Sequence, residues 1–283
     1  MITLKVEGLR YKYPDGTKAL NGVNIDVIKG EFLAILGANG SGKTTLLKHL
    51  NGLLKPTFGS IILDGKRLSE FKPSEVFRKV GMVFQDPNDQ LLAPTVEEDV
   101  AFGPANLNLK YEEIMNRVMN ALELVEMKEY AKKTINFLSY GQRKRTCIAG
   151  ILAMEPEVLV LDEPTSGLDP DGVKSVMKLL KDLNRKQGIT IIIATNSVDL
   201  VPVYTTRVVI MDKGKIIKEG TPESVFTDSR MLEDVKLELP QIAQLMEVLR
   251  NKDKFPINEL PLTIEEARRE LINLIKPVTL TVN

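Results

Sequence analysis

The 283-residue sequence has one cysteine, Cys147, and therefore cannot form an internal disulfide. A chain without disulfides is typical of a reducing compartment, and we interpret Cys147 as a small core residue. The 38 basic and 38 acidic residues cancel, so no overall charge attracts nucleic acid or an anionic membrane. Long apolar runs are also missing: none approaches the roughly 20 residues that span a bilayer, and the N-terminus lacks a signal-like stretch. We expect no nucleic-acid partner and only peripheral membrane contact.

Apolar residues make up 43% of the chain, which suffices for one large domain or for a domain with an appendage. Residues 2–7 and 23–27 alternate apolar and polar side chains, which predicts an N-terminal antiparallel layer. Further along, apolar strands alternate with helices. One helix begins at Asp169-Pro170 and stops at Gly188, and a buried strand, Ile189 to Thr195, follows it. This alternation predicts an α/β fold whose main sheet is mostly parallel, with helices on both faces.

A glycine-rich segment follows the apolar run Phe32 to Leu36 and precedes a leucine-rich one, in the order strand, loop, helix. Its glycines let backbone N–H groups turn inward around an anion, toward which the next helix points its positive end. The ammonium of Lys43 can reach β- and γ-phosphates, and the Thr44 hydroxyl can bind Mg²⁺. The full G-x-x-x-x-G-K-T spacing favours this phosphate loop over a chance turn. The segment reads Gly37-Ala38-Asn39-Gly40-Ser41-Gly42-Lys43-Thr44-Thr45.

Two carboxylates, Asp162 and Glu163, follow the continuous apolar run Val158 to Leu161. A buried parallel strand delivers catalytic groups to its C-terminal end in this way. The first acid suits metal binding and the second suits a general base for water. Alone, the pair could simply cap the next segment, but a phosphate loop in the same chain favours the catalytic interpretation.

Several other segments open helices or end strands. A predicted strand from Val80 ends at Gln85, and Thr95 with Glu98 forms a capping box that opens a helix. An amphipathic helix begins near Tyr111, and another follows Ser139, which we interpret as its N-cap. The basic residues that follow this cap are typical of a solvated face.

Taken together, these motifs resemble the ATP-hydrolysing subunit of an ATP-binding cassette (ABC) transporter over about residues 1–226. The Leu-Ser-x-Gly-Gln signature at 138–142 separates this family from other phosphate-loop NTPases, and the Ser-Gly-Leu-Asp turn at 166–169 follows Asp162-Glu163 in the family's order. The resemblance implies a P-loop NTPase core with a helical subdomain at about 86–155. It also implies that two subunits pair head to tail, as a homodimer or a heterodimer.

The resemblance further implies ATP and Mg²⁺ and a role for each matching residue. Tyr13 stacks on adenine, whereas the residues alone favour ordinary packing for an aromatic side chain before a turn. Glu163 polarises water, Gln85 senses the metal and the partner, and Ser139 with Gly141 closes on the other subunit's ATP. The implied catalytic residues are Glu163, Gln85 and Asn196; the implied metal ligands are Thr44, Gln85 and Asp162; the implied nucleotide contacts are Tyr13, Gly37, Asn39, Gly40, Ser41, Gly42, Lys43, Thr44, Thr45, Ser139, Gly141, Gln142 and Asp169.

Within the family, residues 85–90 and 93–104 resemble the energy-coupling factor branch, which energises uptake of cobalt, nickel or water-soluble vitamins. That likeness implies a transmembrane scaffold protein, a substrate-binding membrane subunit and a location on the cytoplasmic face of the membrane. The region around Gln90 to Pro94 is expected to form the groove that receives the scaffold.

Two positions depart from the family pattern. Tyr140 replaces the first glycine of the usual signature, which the flanking Ser139 and Gly141 should tolerate. Asn196 stands where the family has a histidine that contacts the γ-phosphate and the attacking water, and Ser197 stands where an acid commonly follows. The sole histidine, His49, cannot replace it and is assigned a surface or packing role.

Residues 227–283 fall outside the common cassette and form a predicted C-terminal helical extension. Two amphipathic helices, Leu239 to Arg250 and Thr263 to Ile275, are expected to pack on the cassette or on a second copy. Two alternatives to a transport motor stay open. One is a soluble cassette ATPase without a transport role, and the other is a nucleotide-dependent clamp that Asn196 makes very slow to hydrolyse ATP.

Overall fold

The structure is a computed structural model that describes residues 1–107 and 109–275. Its first layer is a four-stranded antiparallel sheet with the order β2-β1-β4-β5. This confirms the predicted N-terminal antiparallel layer, although β1 and β2 extend beyond the alternating segments. Register shifts, such as the one between Val6 and Leu9, interrupt the alternation and hide the strand ends from the pattern. The strands are β1 (Ile2–Lys12), β2 (Lys18–Ile28), β4 (Phe58–Leu63) and β5 (Lys66–Arg67).

The second layer is a six-stranded sheet with the order β10-β9-β3-β8-β7-β6. It is parallel except for β10, which pairs antiparallel with β9. The mostly parallel sheet is thus confirmed. Its strands are β3 (Phe32–Leu36), β6 (Val80–Val83), β7 (Val158–Asp162), β8 (Thr190–Thr195), β9 (Arg207–Asp212) and β10 (Lys215–Gly220).

Strand β3, which leads into the phosphate loop, is packed on both faces. Leu33 and Ile35 belong to an apolar core that the antiparallel sheet and the helix after the phosphate loop share. Phe32, Ala34 and Leu36 belong to a second core on the opposite face, where helices of the later part of the chain pack against the sheet. Because successive strand residues point to opposite faces, every residue of β3 is buried. The loop therefore starts from a tightly packed strand.

The helices surround this sheet. Three of them, α3 to α5, contact one another and form the predicted helical subdomain. The Glu98 carboxylate accepts a hydrogen bond from the Thr95 N–H at 3.1 Å, as the capping-box pattern predicts. Their bounds are α1 (Lys43–Leu50), α2 (Pro73–Lys79), α3 (Val96–Ala105), α4 (Tyr111–Leu124), α5 (Tyr140–Leu152), α6 (Pro170–Gln187), α7 (Val201–Tyr204), α8 (Pro222–Val225), α9 (Ser229–Asp234), α10 (Gln241–Asn251) and α11 (Ile264–Ile275).

The segment after residue 226 packs on its own chain. Leu232 and Leu239 join the core on the helical face of the sheet, while Met246 and Ala267 form a small separate cluster between α10 and α11. Two of its helices lie within two residues of the predicted bounds at each end, and α9 was not predicted. The predicted extension continues to residue 283, and its last eight residues lie outside the described part.

None of the described helices combines the length and the apolar composition that a membrane span requires.

Candidate nucleotide-binding site

A cleft of about 440 Å³ opens at the carboxyl ends of the parallel strands. Most of the residues that the sequence assigned to nucleotide, metal and catalysis meet there, because the phosphate loop and three strand exits converge on one edge of the sheet. The lining residues named from sequence are Tyr13, Asn39, Gly40, Ser41, Gly42, Lys43, Thr44, Thr45, Gln85, Asp162, Glu163 and Asn196; the additional ones are Thr17, Lys18, Ala19, Thr165, Ser166 and Ser197.

At two positions of the phosphate loop, Gly37 and Gly42, the surrounding main chain leaves no room for a Cβ atom. A Cβ on Gly37 would lie 2.4 Å from the Met211 carbonyl oxygen, although Gly37 itself does not line the cleft. Gly42, the N-cap of α1, has φ of 104°, and a Cβ there would lie 2.6 Å from the Ala19 carbonyl oxygen. Neither position accommodates a side chain, because the loop backbone packs directly against the main chain of Met211 and Ala19. Residues 39–45 of the loop line the cleft.

Lys43 supplies a positive charge directly beside the phosphate loop. Its Nζ donates to the carbonyl oxygens of Gly37 at 2.6 Å and Ala38 at 3.2 Å, so the ammonium is held within the loop. Burial lowers the pKa of Lys43, and the nearby carboxylates of Glu163 and Asp162 oppose that shift. The three groups form a compact charged cluster at the end of the sheet.

Asp162 ends β7 and is buried beside the loop. Burial raises the pKa of its carboxyl, whereas the Thr44 hydroxyl and the Lys43 ammonium lower it. Thr44, Gln85 and Asp162 line the cleft and can supply a hydroxyl, an amide and a carboxylate oxygen as ligands. This donor set fits Mg²⁺, which proteins usually bind through one or two carboxylates and the phosphates of the substrate.

Glu163 lies just beyond β7 in a left-handed conformation, with φ of 42°. Its N–H donates to the Ala194 carbonyl at 2.8 Å, and its Oε2 accepts a 3.0 Å hydrogen bond from the Thr195 hydroxyl. Burial raises the pKa of Glu163, and the Thr195 hydrogen bond is the strongest influence lowering it. A carboxylate tuned in this way suits a general base.

Thr195 was not assigned to the site from sequence. Its Oγ1 also accepts the Ser197 N–H at 3.1 Å, so the hydroxyl hydrogen is directed at Glu163. The only signal in the sequence was a hydroxyl residue at the exit of a buried strand. Thr195 thus links Glu163 to the segment that carries Asn196, which is exposed on the cleft.

Tyr13 stands at the open side of the loop, and its hydroxyl lies 3.0 Å from the Thr45 hydroxyl. Its ring meets the edge of Tyr11 at a centroid distance of 4.9 Å, and Tyr11 in turn meets His49 at 4.6 Å. His49 is fully buried, and its Nδ1 lies 2.7 Å from the Thr45 carbonyl oxygen, so that nitrogen donates. The histidine therefore packs behind the aromatic pair and does not reach the cleft.

The signature residues stay away from this cleft. Ser139 caps α5, accepting the Gln142 N–H at 3.2 Å, and Asp169 caps α6, accepting the Gly172 N–H at 2.7 Å. Among the residues that the structure describes, the cleft lining includes neither of these caps, nor Gly141 or Gln142. Within one chain, the signature residues and Asp169 therefore do not meet the phosphate loop in a common cleft.

A second cleft of about 340 Å³, the helical-layer groove, is mainly apolar. Leu92 and Phe102 expose 74% and 57% of their surface there. The Asp99 carboxylate accepts hydrogen bonds from the Leu92 and Ala93 N–H groups at 2.7 and 3.0 Å. These bonds fix the main chain that carries Leu92 at the rim of the groove. The lining comprises Ser74, Phe77, Gln90, Leu92, Asp99, Phe102, Gly103, Asn106, Leu107, Cys147, Gly150, Ile151 and Met154.

Comparison with known proteins agrees with this geometry. The sequence model of the ABC transporter family matches residues 20–166, which include the phosphate loop, the signature and Asp162-Glu163. The chain belongs to the ABC transporter family. It is one of the family's ATPases, which couple ATP hydrolysis to transport.

This ABC ATPase has close relatives over nearly its whole length. It is 52% identical over 278 residues to the energy-coupling factor transporter ATP-binding protein EcfA of Methanocaldococcus jannaschii, covering 98% of this chain and 99% of the relative. The structure of cbiO1 from Clostridium perfringens, described as part of the ABC transporter complex cbiONQ, is 47% identical. It superposes with a TM-score of 0.75 over 87% of this chain and 99% of that one. A dimeric ATP-binding cassette, MJ0796 bound to ADP and Pi, is 30% identical with a TM-score of 0.70, covering 77% and 98% of the two chains.

Proposed function

We propose that this ABC ATPase energises an importer of the energy-coupling factor type that takes up cobalt, nickel or a water-soluble vitamin. One observation carries the proposal: Lys43, Asp162 and Glu163 converge on a cleft in a chain that is 52% identical to an EcfA protein over 98% of its length. We place the protein at the cytoplasmic face of the membrane, as a peripheral subunit.

In this proposal the residues of the cleft divide the work of hydrolysis. Tyr13 stacks on the base, and Lys43 with the loop amides neutralises phosphate charge. Thr44, Gln85 and Asp162 hold Mg²⁺, which when bound neutralises charge on the phosphate oxygens. Glu163, oriented by Thr195, positions the attacking water and accepts its proton. Catalysis of this kind rests mainly on positioning and charge stabilisation.

The position of the signature residues supports a head-to-tail dimer, as a homodimer or with a second ABC ATPase. Ser139, Gly141, Gln142 and Asp169 lie at the N-terminal ends of α5 and α6, outside the chain's own cleft. Because helix N-termini favour anions, the end of α5 suits the γ-phosphate bound by another subunit. Dimerisation would therefore complete each ATP site.

The helical-layer groove supports a membrane partner. Its exposed Leu92 and Phe102 form an apolar surface of the kind that docks a helix of another protein. We assign this groove to the transmembrane scaffold protein, which in turn holds the substrate-binding membrane subunit.

A second candidate function rests on Asn196, which lies on the cleft where a histidine is expected. With an amide there, the chain would act as an ATP-dependent clamp that closes but hydrolyses very slowly. One experiment separates the two functions. Purify the chain with its membrane partner and measure steady-state ATP turnover beside ATP-driven dimerisation. Turnover stimulated by the partner supports the motor, and dimerisation without turnover supports the clamp. Failure to recover any membrane protein contradicts the importer assignment.

A further inference from the structure

Lys144 is a charged side chain buried beneath the signature helix α5, outside the cleft. It has 0% exposure, and its Nζ donates to the main-chain carbonyls of Phe84 at 3.2 Å and Gln85 at 2.5 Å. Burial lowers the pKa of Lys144, and acidic neighbours such as Asp86 oppose the shift. Burying a charge is costly unless it makes specific hydrogen bonds, so this lysine is poorly explained as a packing residue alone.

Tyr140, one helical turn earlier on α5, contacts the same carbonyl. Its hydroxyl donates to the Gln85 oxygen at 3.4 Å, so two side chains of one helix share one acceptor. The ring also lies against the turn after β7, because a Cβ placed on Gly167 would be 3.0 Å from its Cε1. Tyr140, which departs from the usual signature, therefore contacts both the segment at Gln85 and the turn at Gly167.

The rest of the loop after β6 is attached to α5 as well. We call residues 84–90 the Gln85 loop. Gln90 accepts the Phe84 N–H at 3.0 Å and donates to the Cys147 carbonyl at 3.3 Å, while Arg143 donates to the Asn88 side chain at 3.4 Å. Hydrogen bonds with α5 thus hold the Gln85 loop at its beginning, its middle and its end. We expect the loop and the helix to move as a unit.

The same helix spans three functional surfaces. Its N-terminus carries Ser139, its middle holds the Gln85 loop, and Gly150 and Ile151 line the helical-layer groove. The main chain of Gln85 is fixed by Lys144, whereas its side chain is exposed at the cleft. A displacement of α5 at the groove would therefore be carried to the Gln85 amide.

We propose that Lys144, assisted by Tyr140, is a positioning residue for ATP hydrolysis that holds the Gln85 main chain on α5, so that the Gln85 amide follows movements of this helix. The inference rests on the proposed function, since it takes Gln85 to be one of the residues that hold the metal. Lys144 does not line the cleft, and its hydrogen bonds go to the main chain of Phe84 and Gln85.

A double-mutant cycle on the full chain tests this dependence. Lys144→Met removes the donor at nearly constant volume, Tyr140→Phe removes only the hydroxyl, and each is made with and without Gln85→Ala. The matched control is Lys181→Met, because Lys181 also donates to a main-chain carbonyl, that of Val203 at 3.1 Å, and neither residue lines the cleft. The measurements are kcat and KM for ATP in saturating Mg²⁺, with melting temperatures alongside.

We expect Lys144→Met to lower kcat by about tenfold while KM changes by less than about twofold, because misplacing a positioned group by about 1 Å can cost up to ~10²-fold. In the Gln85→Ala background the same change should cost less than about twofold, since residues that act through one another are not additive. Tyr140→Phe should show the same dependence with a smaller effect, and Lys181→Met should not change kcat.

Equal slowing with and without Gln85, or no slowing at all, would overturn the inference. If Lys144→Met does not fold, Tyr140→Phe decides by the same criterion. A parent chain that shows no turnover, alone or with its membrane partner, contradicts the proposed motor and this inference together. Normal turnover with additive substitutions removes this inference alone.

Discussion

The Thr195 hydroxyl donates a 3.0 Å hydrogen bond to the Glu163 carboxylate, joining the exits of two neighbouring strands. Because β7 and β8 pair in parallel, with Asp162 opposite Ala194, both side chains emerge at the same level of the sheet. Glu163, the proposed general base, is thereby connected to the end of β8, which Asn196 follows directly. In the proposed mechanism, proton acceptance by Glu163 and contact of Asn196 with the γ-phosphate are therefore structurally linked.

Glu163→Gln should retain ATP binding and lose hydrolysis. The amide is nearly isosteric but cannot accept the proton of water, and a positioned general base contributes roughly 10²–10⁴-fold. ATP affinity by titration and turnover by phosphate release are the measurements. Undiminished turnover in this variant would show that another group is the base.

Thr195→Val should slow hydrolysis and make it more sensitive to acid. The hydrogen bond lowers the pKa of Glu163, so its loss lets burial raise that pKa further. The acidic limb of the kcat profile should then move to higher pH, because less of the reactive carboxylate is present at a given pH. A lost hydrogen bond to a charged group is worth about 1.5–3 kcal/mol, or roughly tenfold or more. Thr195→Ser keeps the hydroxyl and is the control; an identical profile in the valine variant would contradict the role of Thr195.

Asn196→His should raise kcat by about an order of magnitude or more, on the order of 1.4 kcal/mol, with little change in ATP affinity. Asparagine can donate one hydrogen bond to phosphate, but it is shorter than histidine and leaves the transition state without a well-placed donor. Single-turnover hydrolysis and ATP titration measure the two effects separately. If the rate stays constant while binding is intact, Asn196 does not occupy the role of the missing histidine.

Leu92→Asp should abolish copurification with the membrane partner and leave nucleotide binding unchanged. Leu92 lies on the groove rim, 74% exposed, so the charge disturbs docking more than folding. It is a cleaner target than Gln90, whose side chain holds Phe84 and Cys147. Leu124→Asp, on the exposed end of α4 outside the groove, is the matched control. Equal recovery of partner by both variants would reject the groove as the docking site.

The sequence could locate the elements of the cleft because each depends on local pattern. Buried runs such as Val158 to Leu161 identify the strands, and the glycine spacing before Lys43 identifies the loop. It could not show that Lys144 holds Gln85, or that Thr195 holds Glu163, because these partners are 59 and 32 residues apart and meet only in the folded sheet. Nor could charge pattern separate Lys144 from its neighbours Arg143 and Arg145, since burial depends on which face of α5 packs inward. The short helix α9 was missed because six residues carry too little periodicity.

Strand β3 is buried on both faces, which limits how far it can move relative to the rest of the domain. Its amides are paired with β8 and β9 and its side chains fill two cores. Amide protons of Phe32 to Leu36 should therefore exchange with deuterium only when the whole domain unfolds, with or without ATP. Apart from the phosphate loop, whose amides would bind the nucleotide directly, we expect the exchange that changes with nucleotide to lie in the Gln85 loop and α5. We therefore expect the floor of the ATP site to keep its geometry between nucleotide states, so that any conformational change is taken up by the Gln85 loop and α5.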